Sequence, residues 1–132
     1  MGFLRHLSAF IDGLNKQILS LIKLSNFLIK KYKIKSKNIL GHSDIAPDRK
    51  KDPGEKFPWE YLAKRKIGIW HDLNIKTLKQ FRKKKLSKID QNLFLENIFK
   101  IGYSKKTSKK LNKNKYNIMI VKAFQRRYRQ SL

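Results

Sequence analysis

A polar segment rich in proline and glycine, residues 41–59, constrains this chain more than any other stretch. It carries one histidine, several carboxylates and several cations, and three prolines punctuate it. The apolar residues Ile39 and Leu40 lead into it, which is typical of a buried strand that delivers a loop. Because loops carried by rigid elements often hold functional residues, this segment is the candidate site.

The spacing of three polar residues in this segment suggests a metal site. His42 and Asp52 are ten residues apart, and Lys50 precedes Asp52 by two. Imidazole and carboxylate are ordinary zinc ligands, and a catalytic zinc site has three protein ligands and an open position for water. Residues two apart in an extended segment face the same side, so Lys50 and Asp52 can point into one site. The spacing alone favours a solvated charged loop around a turn over a zinc site, because short motifs often match by chance.

The segment GHSDIAPDRKKDPG, residues 41–54, closely resembles the signature of zinc-dependent N-acetylmuramoyl-L-alanine amidases of the AmpD/AmiD type, the amidase_2 family. The match continues through FPWEYLAKRKIGIW, residues 57–70. The resemblance implies that His42 and Asp52 are zinc ligands and that Lys50 contacts the reacting amide. Asp48 stands where the family usually has glycine, a departure that bears on the turn and removes no ligand.

The resemblance also implies the fold class, α/β with a partial mixed sheet and helices, followed by a small all-α domain. Residues 1–75 are expected to form a truncated amidase domain, 76–88 a basic linker and 89–132 a peptidoglycan-binding-like helical domain. The last assignment depends on a predicted helix ending near Gly102, a polar loop over residues 104–115, and a helix containing VKAFQRRY. This order resembles the small wall-binding domain that follows the catalytic domain in some family members.

Apolar residues recur at helical spacing over residues 15–32, which predicts an amphipathic helix there, with Gly13 at a turn before it. A basic amphipathic helix can bind a membrane surface, whereas the resemblance favours a helix packed on a sheet. Residues 39–41 are the predicted strand, and residues 59–66 a short helix. The predicted apolar face of the long helix comprises Ile18, Leu21, Ile22, Ser25, Leu28, Ile29 and Tyr32, broadened by Leu19, Leu24 and Phe27.

Two parts of the family's catalytic machinery have no counterpart in this sequence. The family places its first zinc histidine and its general-base glutamate before the helix matched by residues 15–32, and nothing upstream of residue 15 matches either motif. His6 is better explained as a surface histidine near the terminus. Two zinc ligands fall short of the usual three, and no carboxylate takes the proton from the reacting water. The expectation is therefore an N-terminally truncated amidase.

The charge of the chain is extreme and implies an anionic partner. Lysine and arginine number 33 against nine acidic residues, a formal net charge of +24. Such a charge attracts nucleic acid, anionic lipid or an anionic wall polymer, although lysines spread along the chain also fit an ordinary solvated surface. Peptidoglycan or a muropeptide is the partner that the resemblance implies. A companion chain that supplies the missing half of the domain is an open alternative. Nucleic acid is less favoured because no recognised nucleic-acid motif is present.

Three functions therefore stand side by side. The first is an N-acetylmuramoyl-L-alanine amidase, a hydrolase of the amide between N-acetylmuramic acid and L-alanine. The second is a non-catalytic peptidoglycan-binding remnant, and the third is a basic nucleic-acid-binding protein using Arg126, Arg127, Tyr128 and Arg129. The absence of cysteine excludes thiolate zinc ligands and disulfides. The resemblance favours the cell envelope or periplasm, and the cytoplasm stays open because no signal peptide is evident. No apolar run is long enough to span a bilayer.

Overall fold

The computed structural model describes the backbone of residues 2–106 and 110–130, with the side chains of residue 13 and of residues 15–106 and 110–130. The chain divides into two compact units, Met1–Lys35 and Ser36–Leu132. Each unit is helical. The predicted division at residues 75 and 88 stays a prediction.

The first unit is one long helix, α1, which spans Gly2–Tyr32. The predicted helix over residues 15–32 is confirmed, but the predicted turn at Gly13 is wrong, because α1 continues through it. A glycine inside a helix costs only about 1 kcal/mol relative to alanine, which a long helix tolerates. Lysines in the last turn of α1, Lys30 and Lys31, suit the negative end of the helix dipole.

Most of the predicted apolar face of α1 is confirmed by burial. The predicted residues from Ile18 to Ile29 on that face are half-buried, whereas Tyr32 is 61% exposed. The three residues expected to broaden the face, Leu19, Leu24 and Phe27, are all exposed. The apolar stripe is therefore narrower than the composition of the helix suggests.

The second unit holds a 3-10 turn and five helices among the residues that the structure describes. The turn is Ser36–Asn38, and the helices are α2 (His42–Ile45), α3 (Trp59–Ala63), α4 (Ile75–Arg82), α5 (Lys88–Lys100) and α6 (Lys113–Tyr128). The core lies between α5 and α6 and is built from Ile98, Tyr103, Tyr116, Ile120 and Ala123, with Phe94, Phe99, Ile101 and Phe124 packed against it.

The predicted strand over residues 39–41 is wrong, and with it the mixed sheet of the predicted α/β fold. Gly41 is extended, with φ −80° and ψ 157°. A strand also needs a hydrogen-bonded neighbour, and no strand occurs in residues 2–106 and 110–130 to supply one. The lead-in to the loop is therefore extended chain without a sheet.

Helix α5 begins with a capping box. Ser87 is the N-cap, and its hydroxyl accepts a hydrogen bond from the backbone N–H of Asp90 at 3.1 Å. The Asp90 carboxylate accepts in return from the backbone N–H of Ser87 at 3.1 Å. Asp90 thus stabilises the start of the helix from its third position and is not the cap itself. Gly102, with φ +105°, follows the end of α5, as predicted.

Candidate metal centre and its scaffold

The structure brings together the two residues expected to bind zinc. His42 Nδ1 lies 3.0 Å from Asp52 Oδ2. The backbone N–H of Ser43 donates to the carbonyl of Asp52 at 2.9 Å, which ties the two ligand-bearing segments together. The His42 and Asp52 side chains are 42% and 61% exposed, so both face solvent and are open to a ligand.

The electrostatics of this pair favour an ionised carboxylate. Desolvation acts to raise the pKa of Asp52, but a backbone hydrogen bond at Asp52, the hydrogen bond with His42 and the positive charges of His42 and Lys50 hold that pKa below its usual value. A deprotonated carboxylate is the form that binds a metal ion. The Asp52 carboxylate is therefore in its metal-binding form at neutral pH.

Lys50 lies close enough to this pair to act on it electrostatically. Its ammonium group is exposed, and its charge contributes to the lowered pKa of Asp52. The backbone N–H of Lys50 donates to the carbonyl of Ala46 at 2.9 Å, which fixes the chain leaving the loop. Its contact with a reacting amide stays a prediction.

The α2 turn that carries His42 is closed by its two flanking residues. The backbone N–H of Gly41 donates to Asp44 Oδ2 at 2.8 Å, and the N–H of Asp44 donates to the carbonyl of Gly41 at 3.0 Å. A Cβ at Gly41 would lie 2.9 Å from Pro53 Cδ and 3.1 Å from the Trp59 ring. Glycine is therefore required here by close approach.

An arginine from α6 reaches the same turn and is almost fully buried. Arg127 Nη1 lies 2.6 Å from Asp44 Oδ2, and the two side chains are 2% and 1% exposed. The guanidinium carbon lies 3.8 Å from the ring centroid of Trp59, a cation–π contact. Arg127 Nη2 also faces the carbonyl of Ile69 at 3.4 Å.

This position of Arg127 corrects the sequence-based interpretation. As a buried residue, Arg127 contributes nothing to the exposed RNA-binding surface suggested for the last helix. The buried residues of α6 are Tyr116, Ile120, Ala123 and Arg127, at spacings of four, three and four. Helical periodicity therefore places Arg127 on the inward face, a signal that was available in the sequence. Ile118, on the same helix, is 56% exposed.

Two further residues complete the surroundings of this buried pair. Burial, together with the nearby Asp44 carboxylate, raises the pKa of Tyr103 well above its usual value. Gly68 adopts φ +80°, and a Cβ there would lie 3.2 Å from Arg127 Nη2. Tyr103 and Gly68 therefore help to enclose the pair.

The described residues fit part of a zinc site. No group of three or more His, Cys, Asp or Glu side chains that could hold a metal occurs in that part of the chain. His71 is half-buried and stacks on Trp70 with ring centroids 4.9 Å apart. The side chain of His6 lies outside the described residues. His42 and Asp52 thus supply two of the usual three ligands.

The extended lead-in, the HSDIAP turn and the His42–Asp52 pair define the class of this protein. Residues 14–55 match the Amidase_2 family, N-acetylmuramoyl-L-alanine amidase. These residues confirm the resemblance to amidases of the AmpD/AmiD type that the GHSDIAPDRKKDPG signature predicted. The chain is 36% identical over 116 residues, 88% of its length, to the N-acetylmuramoyl-L-alanine amidase AmiD of Escherichia coli. It is 51% identical over 49 residues, 36% of its length and 27% of the relative, to the 1,6-anhydro-N-acetylmuramyl-L-alanine amidase AmpD of Haemophilus influenzae.

Solved structures give the same relationship. The E. coli AmiD complex with anhydro-N-acetylmuramic acid-L-Ala-D-gamma-Glu-L-Lys matches 88% of this chain and 44% of its own, with TM-score 0.65 and 33% identity. AmpDh3 of Pseudomonas aeruginosa, in complex with anhydromuramic pentapeptide, matches 88% of this chain and 45% of its own, with TM-score 0.67 and 30% identity. The chain therefore shares its fold with about half of each of these amidases.

The extent of the match also matters. The chain spans 41% of the length of E. coli AmiD. The comparisons give no support to the expected companion chain.

Across the residues that the structure describes, no helix is long and apolar enough to cross a membrane.

Proposed function

We propose that this chain supplies part of the active site of an N-acetylmuramoyl-L-alanine amidase, which hydrolyses the amide between N-acetylmuramic acid and L-alanine. The observation that carries the proposal is the solvent-exposed pair of His42 and Asp52, 3.0 Å apart, beside Lys50. It occurs in a chain that matches amidase structures solved with muropeptides over 88% of its length.

The cofactor proposed for this site is zinc, held by His42 and Asp52 and by a third ligand from outside the described residues. When bound, zinc polarises a carbonyl oxygen and makes water a nucleophile at neutral pH. The part played by this chain is to present an imidazole and a carboxylate on one open surface. The hydrogen bond from Ser43 to Asp52 keeps the two ligands in register.

Lys50 is the proposed catalytic residue. Its ammonium group donates to the amide oxygen, on which negative charge develops as the carbonyl is attacked. A fixed positive charge at that position stabilises the transition state more than the ground state. The charge of Lys50 lies close enough to Asp52 to lower the pKa of that carboxylate.

The proposed substrate is peptidoglycan or a soluble muropeptide. The proposed location of the protein is the cell envelope or periplasm. The stem peptide of the muropeptide bound to E. coli AmiD contains a gamma-linked glutamate, an acidic group. A chain with a net charge of +24 attracts such anionic material. The cytoplasm, where soluble muropeptides are also met, is the second compartment to test.

A zinc titration by calorimetry tests the site, using the purified chain beside His42→Ala and Asp52→Ala, with His71→Ala as the matched control. One-to-one binding that both ligand variants lose, and that His71→Ala keeps, is the expected result. Zinc binding that is unchanged in both His42→Ala and Asp52→Ala would overturn the zinc assignment. His6→Ala then tests whether that histidine is the third ligand.

A second assay separates amidase activity from wall binding. Zinc-dependent release of L-alanyl peptides from muropeptide, lost in Lys50→Ala, is expected of an amidase. Sedimentation with wall material but no release would favour the second candidate, a peptidoglycan-binding protein. That candidate is supported by the self-contained core between α5 and α6, around Ile98 and Ile120.

A further inference from the structure

The buried ion pair of Asp44 and Arg127 has no role in the chemistry proposed above. Aspartate and arginine are rarely buried unless paired, and burying both carries a large desolvation cost. Eighty-three residues separate the two side chains in sequence, and their atoms are 2.6 Å apart. Such a contact is retained where it fixes one arrangement of the chain, as a buried polar group can do.

We infer that Arg127 is a positioning residue, which acts from α6 through Asp44 to hold the α2 turn so that His42 faces Asp52. This inference rests on the proposed metal site. It assigns α6, within a segment expected to form a separate wall-binding domain, to the scaffold of that site.

The first step runs from Arg127 to the turn. Asp44 Oδ2 accepts hydrogen bonds from both Arg127 Nη1, at 2.6 Å, and the backbone N–H of Gly41, at 2.8 Å. Gly41 and Asp44 flank His42, so one carboxylate oxygen fixes the backbone on both sides of the proposed ligand. Charge-assisted bonds of this length are the stronger class of hydrogen bond.

The second step runs from the turn to the other ligand. Ser43, which lies between His42 and Asp44, donates its N–H to the carbonyl of Asp52 at 2.9 Å. A rotation of the turn would break this bond and separate His42 from Asp52. Outer residues that orient metal ligands commonly change metal affinity about 10-fold to 100-fold when they are removed.

The third step is that Arg127 is itself held in place. Its guanidinium packs on the Trp59 ring at 3.8 Å and faces the Ile69 carbonyl at 3.4 Å. Gly68 leaves room for it, since a Cβ there would lie 3.2 Å from Nη2. Lysine has neither the planar group to stack on Trp59 nor the fork to reach two acceptors.

Amide hydrogen exchange by NMR tests the inference without any metal. The variants are Arg127→Lys and Arg127→Met, with Arg129→Met as the matched control, because Arg129 is exposed one residue beyond the end of α6. The probes are the N–H groups of Gly41 and Ser43, compared with that of Ile120 in the α5–α6 core.

Exchange at Gly41 and Ser43 is expected to accelerate about 10-fold or more in both Arg127 variants, because their hydrogen bonds open when the turn is released. Ile120 keeps its protection in Arg127→Lys, and Arg129→Met matches the wild type. The inference is overturned if the Ser43 amide exchanges at the same rate in Arg127→Met as in the wild type. It is also overturned if the Ser43 amide is already unprotected in the wild type. Equal loss of protection at every amide in Arg127→Lys also overturns it, because the role would then be general stability.

Zinc titration gives the second readout. Arg127→Lys is expected to weaken zinc binding about 10-fold while Arg129→Met leaves it unchanged. Equal affinity in the wild type and Arg127→Lys would overturn the link to the metal site. If the wild type binds no zinc, the proposed metal site fails, and exchange at Ser43 still decides whether Arg127 holds the turn.

Discussion

Two acid–base pairs begin two residues apart, at His42 and at Asp44, and have opposite environments. The His42–Asp52 pair is 3.0 Å apart and exposed, whereas the Asp44–Arg127 pair is 2.6 Å apart and buried. An exposed pair contributes little to stability and stays available to a ligand. A buried pair cannot lose one partner without leaving an uncompensated charge. The difference indicates that the first pair is for binding and the second for holding the turn.

The largest expected effect comes from breaking the buried pair. Arg127→Met leaves Asp44 buried without its partner, which is expected to lower the free energy of unfolding by about 3–5 kcal/mol. Urea denaturation measures it. The exposed Arg129→Met is expected to change stability by less than about 0.5 kcal/mol. If Arg127→Met lowered the free energy of unfolding by less than about 1 kcal/mol, the buried pair would contribute little to stability.

The next largest loss of stability is expected when a side chain is added at Gly41, in the turn that joins the two pairs. Gly41→Ala places a Cβ 2.9 Å from Pro53 Cδ, so the loop must shift. Overpacking of this kind costs about 1–3 kcal/mol. Thermal unfolding measures the loss. Gly13→Ala is the contrasting variant, because nothing lies within 4 Å of a Cβ there, and it is expected to stabilise α1. If both substitutions had the same effect, close packing at Gly41 would not explain that glycine.

A third carboxylate, Asp90, provides a comparison outside the site. Hydrogen bonds from the Ser87 hydroxyl and from its backbone N–H lower the pKa of Asp90. A lowered folded-state pKa gives stability that is present above the unfolded pKa of about 3.9. That stability is lost as pH falls through the folded-state pKa.

Two variants measure this contribution. Ser87→Ala is expected to cost about 1 kcal/mol at neutral pH, as for other N-cap removals. Asp90→Asn is expected to differ from the wild type at neutral pH and to converge with it in strong acid. Denaturation at several pH values checks both. If the free energy of unfolding of Asp90→Asn differed from that of the wild type by the same amount at every pH, the ionised Asp90 carboxylate would not stabilise the helix.

The smallest effect on stability is expected at the exposed pair. Asp52→Asn is expected to change the free energy of unfolding by less than about 1 kcal/mol, because exposed ion pairs are worth little. The same substitution is expected to abolish zinc binding, since a neutral amide is a far poorer ligand than a carboxylate. Calorimetry and denaturation on one sample measure both. A large loss of stability with zinc binding intact would reverse the roles of the two pairs.

Local features of the structure were largely predictable. The helical spacing of residues 15–32 predicted most of α1, and the GHSDIAP signature predicted that His42 and Asp52 belong together. The predicted strand failed because a strand needs a neighbour, which no local pattern supplies. The predicted turn at Gly13 failed because neighbouring helical residues outweigh one glycine.

The sequence by itself therefore determined the helices, the loop and the residues of the candidate site, since periodicity and local turn chemistry act over a few residues. Only the tertiary structure decided that Arg127 is buried against Asp44 and Trp59. The physical reason is that burying a charge is favourable only beside a partner. That partner lies 83 residues away in the chain and is brought near by the packing of α6 against α2.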